Sequence, residues 1–450
     1  MQAKTDTIAA IATPPGRGAL GILRLSGPAA TAIATRIAGT LPSPRQAGLR
    51  PFCDAEGIVV DRGLALWFPA PHSFTGEDVV ELQGHGGPVL LDQLLRAACA
   101  YGARVARPGE FSERAFLNDR IDLAQAEAIA DLIDAASAQA ARAASRSLAG
   151  EFSARVTTLV EVLTQLRVFV EGALDFSDED IDWLSDAGLH QKIEQLENDL
   201  RQLLTQAAQG RRLRDGITVA LTGAPNVGKS TLLNRLAGHD AAIVTDVAGT
   251  TRDVLRENIV LDGLPLTLVD TAGLRESDDP VEREGIRRAW AALAQAEIAL
   301  YLIDDRTGIS AADEALIALL PAQAHLLVLA NKCDLSGRSA QRYTHAARDT
   351  IRLSAAEGSG VELLIDAIRE IAGVAHTSEG VFSARARHVD ALQRALAHVG
   401  AARARLDQHV TPELAAEELR LVQNVLGEIT GAVTSDDLLG RVFSQFCIGK

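Results

Sequence analysis

The stretch ITVALTGAPNVGKSTLLNRLA, residues 217–237, decides the fold of the middle of this chain. An apolar β-type run ends at Gly223, and a helical run with apolar residues on one face starts at Ser230. Between them, Gly223-Ala-Pro-Asn-Val-Gly-Lys-Ser230 fits GxxxxGK[ST]. Glycines in such a loop let backbone N–H groups surround phosphates, Lys229 reaches the β- and γ-phosphates, and Ser230 offers a hydroxyl to Mg²⁺. The segment Asn226, Val227, Gly228, Lys229, Ser230 and Thr231 is therefore the expected phosphate cradle.

Three further elements follow in the order a GTPase needs. Asp270-Thr271-Ala272-Gly273 closes the run LPLTLVD, setting a carboxylate for Mg²⁺ through water and a glycine N–H at the γ-phosphate. Asn331-Lys332-Cys333-Asp334 follows HLLVLA, and a carboxylate there accepts two hydrogen bonds from guanine N1–H and N2–H₂. Adenine offers neither in that arrangement, so the wrong base leaves polar groups unpaired. Ser354-Ala355-Ala356 follows TIRL as the loop that backs the guanine. Apolar runs alternating with helical stretches from 217 to about 372 predict a Ras-like, doubly wound parallel sheet.

Between the first two elements lies TDVAGTTRD: Thr245, Asp246, Val247, Ala248, Gly249 and Thr250 precede Thr251. Thr250 or Thr251 supplies the switch hydroxyl for Mg²⁺ and the γ-phosphate. Leu274 follows DTAG, where Ras-like proteins carry the glutamine that positions water. Leucine cannot orient water, which leaves Glu276, Glu282 and Glu284 as candidates.

Around this G domain, expected at 214–375, the texture changes. Residues 1–118 alternate short β-type runs with turn clusters and read as an α+β domain. Residues 119–213 are Ala-rich with apolar residues three and four apart, and 376–450 read the same way. The fold class is thus multidomain α/β: an α+β N-terminal domain, an all-α body in two segments, and an inserted G domain.

Composition sets limits on partners. Basic residues number 44 and acidic residues 59, so the net charge of −15 excludes a general polyanion binder, while a local patch for one folded RNA remains open. Only five basic residues are lysine: Lys4, Lys192, Lys229, Lys332 and Lys450. A retained lysine in an arginine-rich chain marks places where a slim point charge is needed, and three of the five fall in motifs. The four cysteines form no CxxC pair, which points to a reducing cytoplasm without a zinc site. No apolar run approaches the ~18 residues of a membrane helix, and Pro14-Pro15 interrupts the N-terminal one, so a signal peptide is not expected.

Longer motifs carry a resemblance. TPPGRGALGILRLSG near the start, SFTGEDVVELQGHGGP at 73–88, RPGEFSERAFLNDRIDLAQAEA at 107–128, AGTTRDVLRE at 248–257 and TSDDLLGRVFSQFCIGK at the end are similar to the MnmE (TrmE) family of tRNA-modifying GTPases, within the TrmE–Era-like group. The resemblance implies an N-terminal domain that dimerises and binds 5-formyl- or 5,10-methylene-tetrahydrofolate through Arg24, Glu81, Arg120 and Lys450. Position 120 carries arginine where the family more often has lysine. It further implies Glu282 as the residue that orients water, and a potassium ion held by Asn226 with Thr245, Val247 and Thr250. Mg²⁺ falls to Ser230 and Thr251. The family works on the wobble uridine of certain tRNAs with the flavoprotein GidA (MnmG), in a heterotetramer or larger complex, and Cys447 enters the modification chemistry. The expected protein is thus a cytoplasmic, homodimeric GTP hydrolase with no membrane part.

Two motifs are decoys. Gly16-Arg-Gly18-Ala-Leu-Gly21 matches GxGxxG by letter, but a β-like run follows it where a dinucleotide site needs a helix. The tail Cys447-Ile-Gly-Lys450 lacks the aliphatic residues of a prenylation box. His85 in QGHGGP reads as a structural turn histidine sooner than as a base or a metal ligand, and it is left without a role. A ribosome-assembly or regulatory GTPase is the competing reading, and an N-terminal folate domain with a CIGK tail would serve no purpose in one.

Overall fold

In the computed structural model, residues 6–175, 187–238, 256–270, 294, 296–318, 320–374, 380–407 and 412–449 are described. They divide into two compact units, residues 1–130 with 424–450, and residues 131–423.

The first unit is built on a six-stranded sheet: β1 (Ile8–Ile11), β2 (Gly18–Ser26), β3 (Gly48–Cys53), β4 (Val59–Phe68), β5 (Val79–Gly86) and β6 (Arg104–Val105), in the order β3-β4-β5-β2-β1-β6. Side chains alternate faces along a strand. Leu23 and Leu25 of β2 and Val80 and Leu82 of β5 therefore enter one core with Ile33 and Ile37 of the helix Ala30–Ala38 and Leu94 of the helix Pro88–Ala100. The same alternation sends Arg24 to the opposite face, in register with Glu81. GxGxxG ends inside β2 and opens no helix, so it is no dinucleotide site. His85 sits in β5, where its backbone N–H and Nδ1 each lie 2.8 Å from the Asp61 carboxylate; it is a strand residue, not the expected turn histidine.

The helical part of the second unit includes Ala138–Leu148, Glu151–Asp175, Ala187–Asp215 and Ala386–Asp407. Leu189, Ile193, Leu196, Leu200, Leu203 and Ala207 of the third recur at alternating steps of four and three, and all are buried. That helix runs through Gly216 into β7 (Ile217–Gly223). The sheet adds β8 (Arg256–Leu261), β9 (Leu264–Asp270), β10 (Ile298–Asp304), β11 (His325–Asn331), β12 (Gln341–His345) and β13 (Arg348–Arg352), in the order β12-β13-β11-β10-β7-β9-β8. The five inner strands are parallel, while the edge strands β8 and β12 run antiparallel to their neighbours. β12 is polar and exposed at all positions but Tyr343, which is why no apolar run betrayed it. The chain moves from one side of β7 to the other between β9 and β10, and such a switch point opens a crevice at the strand ends.

Candidate functional site

The loop after β7 turns into the helix Lys229–Ala237 through Gly228, whose φ of 102° is left-handed. No side chain caps this helix, so its first N–H groups are available to an anion. Lys229 folds back over the loop, with Nζ 2.7 Å from the Gly223 carbonyl and 2.9 Å from that of Ala224. Ser230 and Thr231 are exposed on the first turn, and Asn226 is exposed with a φ of 62°.

Asn331 joins this loop to the loop after β13. It is 3% exposed, its Nδ2 donates to the Val227 carbonyl at 2.8 Å, and its Oδ1 accepts from Ala355 N at 2.9 Å. A Cβ on residue 228 would stand 2.3 Å from that Nδ2, so only glycine lets the amide come this close. Lys332 Nζ donates to the Asn226 carbonyl at 2.7 Å and pairs with Asp304 at 3.1 Å. Arg306, assisted by Lys332, holds the Asp304 carboxyl far below its usual range. The buried hydroxyl of Ser354 accepts from Glu357 N at 3.2 Å, and Arg235 donates to the carbonyls of Ala355 and Ala356. Asp334 is exposed on the one-turn helix Cys333–Ser336. Burial, with Asp334 and Asp305 nearby, pushes the Cys333 thiol up. Three loops of the expected nucleotide site thus converge at the ends of β7, β11 and β13.

Asp270 closes β9 in register with Leu221. Residues 245–251 and 271–273, together with Glu282 and Lys450, lie outside the described residues.

The first unit carries a second polar cluster. Arg24 Nε lies 2.9 Å from Glu81 Oε1, and its Nη1 donates to the Gly449 carbonyl at 3.2 Å. Gln83 Nε2 donates to Glu81 Oε2 at 3.0 Å. The Arg24 guanidinium carbon stands 5.7 Å from the centroid of the Phe111 ring, a cation–π distance. Residues 447–449 reach this place because Gly109 N donates to the Cys447 carbonyl at 3.3 Å and Pro108 bridges Ile448. Cys447 is exposed, and so is Arg120, whose backbone N–H closes on the Ala115 carbonyl at 2.8 Å. Beneath the tail, Arg104 donates to both oxygens of the fully buried Glu110, at 3.0 and 2.7 Å. Burial alone would raise this carboxyl, but Arg104 and the Arg107 N–H outweigh it and hold the pKa at about 2.

Sequence reading missed Arg235, Asp304, Gln83 and the Arg104–Glu110 pair. Gln83 had a usable signal, since it lies two residues from Glu81 on one face of β5.

The chain matches the model "GTP-binding protein TrmE N-terminus" over residues 7–120 and the model "MnmE helical domain" over 123–447. It is 55% identical over 99% of both chains to tRNA modification GTPase MnmE from Yersinia pseudotuberculosis, and equally so to that of Yersinia pestis. The chain belongs to the MnmE family of tRNA modification GTPases. It is accordingly a GTP hydrolase with MnmE architecture, made of an N-terminal TrmE domain, a helical domain and a G domain. Aquifex aeolicus Era bound to GDP.AlF4- is a slighter likeness, with a TM-score of 0.27 and 23% identity, covering 40% of this chain and 66% of that one.

Proposed function

We propose that this chain binds GTP in the cradle of Asn226–Thr231, Asn331–Asp334 and Ser354–Ala356, and couples its hydrolysis to modification of the wobble uridine in tRNA. The observation that carries this reading is Asn331, one buried side chain hydrogen-bonded to both the phosphate loop and the Ala355 loop. Asp334 reads guanine N1–H and N2–H₂. Asp334→Asn should shift preference from GTP to xanthosine triphosphate, whose 2-oxo group needs a donor. Competition binding with the two nucleotides tests this, and an unchanged preference for GTP sinks it.

The donor set suits the expected ions. Ser230 presents an exposed hydroxyl beside an uncapped helix start, as an Mg²⁺ ligand must, with Thr251 as the second ligand. Asn226 keeps its side chain exposed while its backbone carbonyl is engaged by Lys332, which leaves the amide oxygen for a potassium ion. Thr245, Val247 and Thr250 complete that shell. The two cations supply charge neutralisation at the phosphates. Lys229 holds the phosphates and Glu282 orients the water.

The Arg24–Glu81 cluster is the tetrahydrofolate site. Glu81 Oε1 is held by Arg24 Nε and Nη2, both at 2.9 Å, while Oε2 accepts from Gln83 and retains a lone pair with which the carboxylate can accept from a pterin edge. Arg120 and Lys450 add positive charge for the glutamate tail of a folate. The bound cofactor, 5-formyl- or 5,10-methylene-tetrahydrofolate, supplies the one-carbon unit. Cys447 lies three residues from Lys450 and serves the modification chemistry. The functional protein is a cytoplasmic homodimer working with the flavoprotein GidA (MnmG), with boundaries at 1–118, 119–213, 214–375 and 376–450.

A further inference from the structure

The guanine-side loops share one buried carboxylate that none of the GTPase motifs contains. Asp305 follows the last residue of β10 and is 6% exposed. Its backbone N–H donates to the Asn331 carbonyl at 2.8 Å. Its Oδ1 accepts from Arg352 Nε at 2.9 Å, and its Oδ2 accepts from the Ser336 hydroxyl. Ser336 ends the one-turn helix on which Asp334 sits. Arg352 ends β13, and the chain passes from it through Leu353 into Ser354–Ala356. Arg352 is fixed in turn by Tyr343 of β12, whose ring centroid lies 4.9 Å from the guanidinium carbon.

A helix of four residues has almost no hydrogen bonds of its own, so its position is set by what it is tied to. Here the tie is charge-assisted and directional, two residues from Asp334. The same carboxylate anchors the strand that delivers the opposite loop of the base pocket. We propose that Asp305 is a positioning residue for guanine recognition: it sets the distance and angle at which Asp334 meets the base. This rests on the reading of Asp334 as the base-binding carboxylate.

The consequence is selective. Held in place, Asp334 accepts from both N1–H and N2–H₂ of guanine, but only from N1–H of hypoxanthine, which lacks the 2-amino group. A loosened Asp334 loses most of the second bond, so discrimination between GTP and inosine triphosphate falls more than binding of either alone requires. Catalysis at saturation is untouched, because the side-chain ties of Asp305 run to Arg352 and Ser336 of the base loops, and its backbone bond to Asn331 survives the loss of the carboxylate.

The test uses the full-length chain, with affinities for GTP and inosine triphosphate and with kcat and KM for GTP. Asp305→Ala is expected to weaken GTP by about 10-fold, the worth of a hydrogen bond to a charged group. The GTP-to-inosine-triphosphate ratio should shrink at least ~3-fold, with kcat within about 2-fold of the parent. Ser336→Ala, which removes the tie between Asp305 and the Asp334 helix together with the hydroxyl's 3.2 Å contact to the Cys333 carbonyl, should move the ratio the same way by ~2-fold, and it carries the test if Asp305→Ala fails to fold. An unchanged ratio in a folded variant, or a fall in kcat at unchanged KM, overturns the proposal. Asp334→Asn separates the two readings. If that variant switches to xanthosine triphosphate while Asp305→Ala leaves the ratio alone, the role of Asp305 fails and that of Asp334 stands.

Discussion

At the nucleotide cradle Lys229, Asn331, Lys332 and Arg235 reach main-chain atoms of the neighbouring loops, and Lys332 also pairs with the carboxylate of Asp304. At the Arg24–Glu81 cluster the engaged groups are side chains on adjacent strands, plus one carbonyl from residue 449. The first arrangement uses polar side chains to shape a backbone, which then meets the ligand. The second presents side chains to the ligand directly. Loss of a side chain should therefore disturb shape in one region and charge in the other.

Lys229→Ala separates the two regions most strongly. GTP turnover should fall by about 10²–10³-fold, the scale of losing one transition-state charge donor. Tetrahydrofolate binding should not change, and a parallel loss there would mean that the two sites are not independent. Glu110→Gln probes the floor of the second region. A carboxyl held at about 2 instead of 4.5 contributes about 3 kcal/mol of stability at neutral pH. Because the folded pKa is depressed, that contribution is complete above 4.5 and is lost as pH falls toward 2. Urea denaturation of parent and variant should thus differ most at pH 7, with the gap narrowing at pH 3; a constant gap would show that Glu110 stabilises by shape alone.

Arg24→Ala should weaken tetrahydrofolate binding by about 10-fold in equilibrium titration, while GTP hydrolysis stays within error. Total absence of folate binding in the full-length parent would remove the one-carbon role. Gln83→Ala is the finest probe. It takes one neutral hydrogen bond from Glu81 and should cost ~2–3-fold in the same titration.

The same contrast explains what could be read from the chain. Backbone-built loops need glycine, lysine and asparagine at fixed separations, so GAPNVGKS, NKCD and SAA were legible in place, and β7, β9, β10 and β11 followed from their apolar runs. The Arg24–Glu81 pair arises from strand register across 57 positions, and nothing local in either strand announces it; only the resemblance to MnmE proteins pointed there. Asp305 stayed hidden for a related reason. Its partners at 336 and 352 come together only after β10, β11 and β13 have paired. β12 escaped because the largely exposed QRYTH has no apolar face to reveal a strand.

The continuity of the helix Ala187–Asp215 with β7 has a mechanical meaning. Twenty-nine residues of helix form a rod of about 43 Å, so a 10° turn at its foot sweeps the far end through about 7 Å. The foot is Gly216, with a φ of 71°, and a Cβ there would stand 2.7 Å from the Pro265 carbonyl. Arg212 grips the Ala372 carbonyl and Arg214 pairs with buried Asp131, so the last turn of the rod is held just before its fulcrum. The far end of β7 is the phosphate loop. The helical bundle is thereby joined to that loop through the main chain itself, and a tilt of β7 about Gly216 would reach the far end of the rod enlarged by the ratio of the two lengths, roughly twofold.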